Sequence, residues 1–170
     1  MNFIGANILS VDQFNLDDVN TLFSVAEKMQ PYATREKVTK VLDGAILGNI
    51  FLESSTRTRV SFGSAFNLLG GHVRETSDVS SSAFVKGESV RDAARILSGY
   101  SDVICIRHPK SGSVKEFADF SRVPVINGGD GSNEHPTQAL LDLFTIKKEL
   151  ENKNRDLSKL RIAIVGDLLF

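Results

Sequence analysis

Short apolar runs alternate with helix-period segments along this chain, and that alternation limits the folds open to it. Five runs read as strands: 45–52, 72–75, 103–107, 123–127 and 161–165. Between them lie segments with apolar residues three and four apart, the mark of a helix with one buried face. They cover 15–29, 58–69, 90–99, 114–120 and 136–150. In 15–29 the stripe is Leu16, Val19, Leu22, Phe23 and Ala26; in 136–150 it is Ala139, Leu140, Leu143 and Phe144. Strands that alternate with helices predict a three-layer α/β domain, with a mostly parallel central sheet and helices on both faces. Folds of this kind bind ligands at the carboxyl ends of their strands.

Composition narrows the partners. The 170 residues are 41% hydrophobic, enough for one compact core, and the net charge of −1 favours neither nucleic acid nor an anionic membrane surface. The start, MNFIGANILSVDQF, has no basic segment followed by a long apolar core, so a signal peptide is not expected. No apolar run approaches the roughly 20 residues that span a bilayer. The one cysteine, Cys105, lies in the apolar run 103–106 and is expected to pack in the core. A cytoplasmic location fits these features.

The chemistry begins at Ser55-Thr56-Arg57-Thr58-Arg59, between an apolar run and a helix-period segment. The free N–H groups of a helix's first turn point outward, and the helix dipole favours negative charge there. Hydroxyls add donors, and the Arg57 guanidinium is a planar fork that matches two phosphate oxygens. The junction is therefore expected to hold a phosphorylated small molecule. The competing reading is a plain helix cap, because Ser and Thr cap well.

Other motifs exclude alternatives or supply partners. A nucleoside-triphosphate loop of the G-x-x-x-x-G-K-[ST] type is missing, as are H-E-x-x-H and any Cys/His cluster for zinc. No serine sits in a G-x-S-x-G elbow. Gly129-Asp130-Gly131 lacks the third glycine of a dinucleotide fingerprint. Arg107 closes a predicted strand just before His108-Pro109, which places it on the same rim as 55–59; its alternative is a surface arginine. His135-Pro136-Thr137-Gln138 opens a helix at the end of the glycine-rich loop 127–136, with proline suited to the first helical position. There His135 can donate to a carbonyl oxygen and the Gln138 amide can accept from an NH2 group. A serine-rich loop, 76–87, carries Ser82 and Lys86, which read on their own as solvated loop residues.

Together these motifs resemble the carbamoyltransferases. The signature S-T-R-T-R-x-S-F stands at 55–62, R-H-P at 107–109, and H-P-T-Q-A-L-L-D-L-F-T-I at 135–146. Lys86-Gly87-Glu88, Gly129-Asp130-Gly131 and Thr137 point to the aspartate branch rather than the ornithine branch. The resemblance implies carbamoyl transfer from carbamoyl phosphate to L-aspartate, giving N-carbamoyl-L-aspartate and phosphate in de novo pyrimidine biosynthesis. It assigns Ser55, Thr56, Arg57 and Thr58, with Arg107, to the phosphate. It places Thr58, Arg107 and His135 on the carbamoyl oxygen, and Gln138 on its NH2. Ser82 and Lys86 match residues that reach into the active site of a neighbouring subunit, which implies a homotrimer with shared sites. Catalytic trimers associate with regulatory chains in some members. No metal or organic cofactor is implied.

The resemblance covers the carbamoyl-phosphate half of the family. Residues 1–150 are expected to form that domain, and 151–170 a linker with the first strand of an aspartate-binding domain that is not present. L-Aspartate would then bind only where a second domain is supplied. On this expectation the chain is an enzyme half with little turnover of its own, a stand-alone carbamoyl phosphate-binding module, or a catalytically dead trimer-forming domain.

Overall fold

A computed structural model describes residues 1–76, 87–153, 155, 157–163 and 165. Five helices and four strands alternate as the sequence predicts: α1 (Leu16–Ala33), β1 (Ile46–Phe51), α2 (Thr56–Leu68), β2 (His72–Thr76), α3 (Val90–Leu97), β3 (Val103–His108), α4 (Ser113–Phe120), β4 (Val125–Asp130) and α5 (Pro136–Asn152). Short 3-10 turns lie at Val11–Gln13, Ser98–Tyr100 and Leu157–Lys159.

All ladders are parallel, and the strand order is β2-β1-β3-β4. The sheet has a core on each face because β1 and β3 alternate their buried side chains. On one face Ile50, Leu52, Ile104 and Ile106 pack with Ala93 and Ala94 of α3 and Val114 and Phe117 of α4. On the other, Leu47, Phe51 and Cys105 pack under Phe62 and Phe66 of α2. Cys105 is fully buried as expected, and burial, with the nearby Glu75, pushes its thiol above the ordinary range. Such a thiol is inert.

The strand order reverses between β1 and β3. The chain leaves β1 toward β2 on one side and later returns to β3 on the other. The helices that follow these two strands, α2 and α4, pack on opposite faces. Their divergence opens a crevice at the carboxyl ends of β1 and β3, which is where such sheets hold ligands.

Boundaries shift by a few residues at several elements, and two differences concern strands. β4 starts two residues late and runs to Asp130, because Pro124 has no N–H and offers only its carbonyl, to Ile104 N at 2.9 Å. Of the strand expected at 161–165, the described residues 161–163 and 165 carry no ladder, and Ile162 and Val165 are 64% and 92% exposed. The outer edge of β4 is already taken. Ile8 bridges Ile126, its N–H donates to Val125 O, and its carbonyl accepts from Asn127 N, both at 2.8 Å. The run is expected in the sheet of a second domain, and among the described residues it has no partner strand.

Candidate functional site

One cavity of about 650 Å³ opens at the crevice, lined by Ser54, Ser55, Thr56, Arg57, Thr58, Arg107, His135 and Gln138. Every candidate residue that falls within the described part of the chain is on this wall. Ser82 and Lys86 lie outside the described residues.

The first turn of α2 forms one side. The helix starts at Thr56, two residues earlier than its apolar spacing suggests, so Thr56, Arg57 and Thr58 all lie in that turn. Ser55 occupies the N-cap position, yet its side chain makes no capping bond. The Ser55 hydroxyl is therefore not used as a cap here. The first helical bond is Arg59 N to Ser55 O, 3.1 Å. Among the described residues the backbone N–H groups of Thr56, Arg57 and Thr58 have no acceptor, as expected for a turn that presents them to a ligand.

Arg107 forms the opposite side. In register it stands beside Phe51, the last residue of β1, and its carbonyl accepts from Leu52 N at 2.9 Å. Two bonds aim its guanidinium. Nε donates to Glu53 Oε2 at 3.2 Å, and Nη1 donates to Gly128 O at 3.3 Å. The remaining N–H groups of the fork are left for a ligand. Gly129 lies in the left-handed region with φ 128°, directly against the arginine.

α5 closes the third side. His135 sits at its N-cap without a capping bond, and Pro136 takes the first helical position. Burial, followed by the positive field of Arg107, holds the His135 imidazole below its ordinary value, while Asp142 pulls the other way. The ring is therefore neutral near pH 7 and keeps one N–H donor and one acceptor. Its Nδ1 lies 3.5 Å from Thr137 Oγ1. One turn into the helix, Gln138 Nε2 donates to Asp142 Oδ1 at 2.9 Å. That bond ties up the amide's donor end and leaves Oε1 free to accept. A second cavity of about 460 Å³ shares Arg57, Thr58, His135 and Gln138 and continues between α2 and α5 along Phe62, Ala65 and Leu141.

The site is thus a cup of donors, with two arginines, four hydroxyl-bearing residues and backbone N–H groups without a partner among the described residues, and one free amide acceptor at its edge. It suits a compact anion joined to a group that has both a carbonyl and an NH2. Sequence reasoning missed Glu53, Gly128, Gly129 and Asp142. Asp142 was legible, since it stands four residues after Gln138 on one helical face. Glu53 stands at the strand end just before the junction, but nothing local in the sequence pairs it with Arg107.

Fold and site together define a parallel α/β domain that presents a donor-rich anion cup at its strand-order switch. Residues 6–148 match the family model described as "Aspartate/ornithine carbamoyltransferase, carbamoyl-P binding domain". The chain belongs to this family. It is 68% identical to the aspartate carbamoyltransferase catalytic subunit of Cellvibrio japonicus over 168 residues, which are 99% of this chain and 50% of that relative. The catalytic subunit of Dichelobacter nodosus is 49% identical over 168 residues, 99% of this chain and 48% of the relative. Among solved structures, aspartate transcarbamoylase from Trypanosoma cruzi in complex with carbamoyl phosphate superposes with a TM-score of 0.81 at 40% identity, covering 86% of this chain and 45% of that one. The same enzyme has been solved with N-(phosphonacetyl)-L-aspartic acid, at the same TM-score and identity. The chain spans about half the length of the curated relatives it matches.

Proposed function

We propose that this domain binds carbamoyl phosphate and forms the carbamoyl-phosphate half of an aspartate carbamoyltransferase of pyrimidine biosynthesis. The observation that carries the reading is convergence. Residues from three separate stretches, 55–58, 107 and 135–138, line one cavity at the sheet's switch point.

In this reading the first turn of α2 and Arg107 hold the phosphate. Thr58, Arg107 and neutral His135 donate to the carbamoyl oxygen, and Gln138 Oε1 accepts from the carbamoyl NH2. The amine of L-aspartate attacks the carbamoyl carbon, and negative charge gathers on the carbonyl oxygen. The bond to the phosphate oxygen then breaks, and phosphate departs onto the arginines. Each donor aimed at that oxygen is worth about 3 kcal/mol of barrier, and holding both reactants in place supplies much of the rest.

Residues 1–150 are the carbamoyl-phosphate domain in this account, and 151–170 the linker and first strand of an aspartate-binding domain. Ser82 and Lys86 complete the site from a neighbouring copy in a cytoplasmic homotrimer. Mixing two-domain chains that carry Lys86→Ala with chains that carry His135→Ala tests the sharing. Restored activity in the mixture supports it, and activity no higher than in either variant alone refutes it.

The binding proposal is tested by comparing carbamoyl phosphate with inorganic phosphate in titration calorimetry. Carbamoyl phosphate should bind about tenfold more tightly, and Gln138→Ala should shrink that advantage. Equal affinity for the two ligands in the parent chain would overturn the reading.

A further inference from the structure

A buried polar side chain in the middle of a sheet is costly unless it has a task. Asn49, in the middle of β1, is fully buried. On that face it lies beside the apolar cluster of Leu47, Phe51 and Cys105, with Glu75 next to it in register. An aliphatic residue of similar size would pack here with no polar group to satisfy. Asn49 instead donates twice through Nδ2, to the backbone carbonyl of Arg59 at 3.0 Å and to Glu75 Oε1 at 2.9 Å. Its own Oδ1 is buried and has no partner among the described residues.

Both bonds serve the seat of α2. Glu75 stands beside Asn49 in the β1–β2 register, and its other oxygen lies 3.8 Å from Arg59 Nη1. Helix α2 settles onto this pair at Gly63, its one buried residue. A Cβ there would lie 3.4 Å from Glu75 Oε1 and 3.7 Å from Asn49 Nδ2. Arg59 itself closes the first helical bond, to Ser55 O. Asn49 therefore grips the residue that ends the turn 55–58.

We infer that Asn49 is a positioning residue for the anion-binding turn: by holding the Arg59 carbonyl it sets the height and rotation at which Thr56, Arg57 and Thr58 face the cavity. Displacing such a group by about 1 Å can cost on the order of a hundredfold. The inference rests on the reading of that turn as the phosphate site, and its test separates the two.

The test compares the parent chain with Asn49→Leu in three measurements: affinity for inorganic phosphate and carbamoyl phosphate, thermal midpoint, and amide exchange at Arg59. A residue that merely supported the core would lower the midpoint and leave affinity unchanged, and that result overturns the inference. The expected result is the reverse. The midpoint changes little, since removing the unpaired Oδ1 offsets the lost donor to Arg59 O and Glu75 Oε1, while affinity for both ligands falls at least tenfold and Arg59 exchanges faster although Ile104 in β3 does not. Asn49→Ala, with a lowered midpoint from its void, should give the same affinity and exchange changes if leucine does not fit. Glu75→Gln keeps an acceptor for Asn49 and should stay within about twofold of the parent in affinity. If the parent itself binds neither ligand, the phosphate reading fails, and Arg59 exchange still decides the role of Asn49: unchanged exchange in the variant overturns it.

Discussion

Gly129 lies so close to Arg107 that a Cβ at this position would stand 2.6 Å from Nη1 and 2.9 Å from Cζ. The glycine is therefore part of the anion site, since it leaves the space in which the guanidinium rests. Its φ of 128° is one that side chains rarely adopt. Gly129→Ala should cost about 1–3 kcal/mol of stability from backbone strain. It should also push the arginine off Gly128 O and lower phosphate affinity about tenfold or more. Chemical denaturation and calorimetry on the same variant check both, and unaltered affinity would show that Arg107 is not held by this contact.

Arg57 gives the complementary case. It is exposed on the cavity rim, and its removal disturbs no packing. Arg57→Ala should leave stability within about 0.5 kcal/mol of the parent. Loss of a charge-assisted contact, worth about 1.5–3 kcal/mol, should weaken carbamoyl phosphate binding by roughly ten- to a hundredfold. A titration with unchanged affinity would remove Arg57 from the site.

Gly63 is a helical glycine with room for a methyl group. The nearest atoms to a Cβ there are at 3.4–3.8 Å, ordinary contact distances, and the position does not need a positive φ. Gly63→Ala should stabilise the fold by about 0.5–1 kcal/mol by restricting the unfolded chain. A lower unfolding midpoint would mean that the helix seat on Asn49 and Glu75 tolerates no added atom.

Much of this was readable from residue order, for identifiable reasons. Apolar runs and periodicity located the five described helices and four described strands, and most clearly β1, β3 and β4, whose runs are buried in the core. The run at 161–165 is expected in the sheet of a second domain, and its described residues carry no ladder because no partner strand stands beside them. The cavity-lining residues Ser55, Arg107 and His135 were legible because each sits where a strand ends or a helix begins. Their supports were not. Glu53 with Arg107, and Asn49 with Arg59 and Glu75, are joined by strand register, and a linear pattern does not encode register between distant strands.

Two histidines set a pH dependence. Burial first holds both His108 and His135 below the ordinary imidazole value of 6.5. His108 Nδ1 also accepts from Lys110 N at 3.0 Å, which requires that nitrogen to be unprotonated. The unfolded chain thus binds protons that the folded chain resists. Their contribution to stability is fully present above about pH 6.5 and is lost as pH falls below it. Thermal midpoints measured from pH 8 to 5.5 should decline on the acid side, less steeply in His135→Gln. A midpoint that rises on acidification across this window would contradict the assignment.

The convergence of α2, β3 and α5 on one ligand is tested most directly by an NMR titration of carbamoyl phosphate. The resonances to follow are the backbone amides of Thr56, Arg57, Thr58 and Gly129, and the side-chain amide of Gln138. All should shift together along a single saturation curve with one dissociation constant. Shifts confined to one element, or no saturable shift at any of them, would contradict the account.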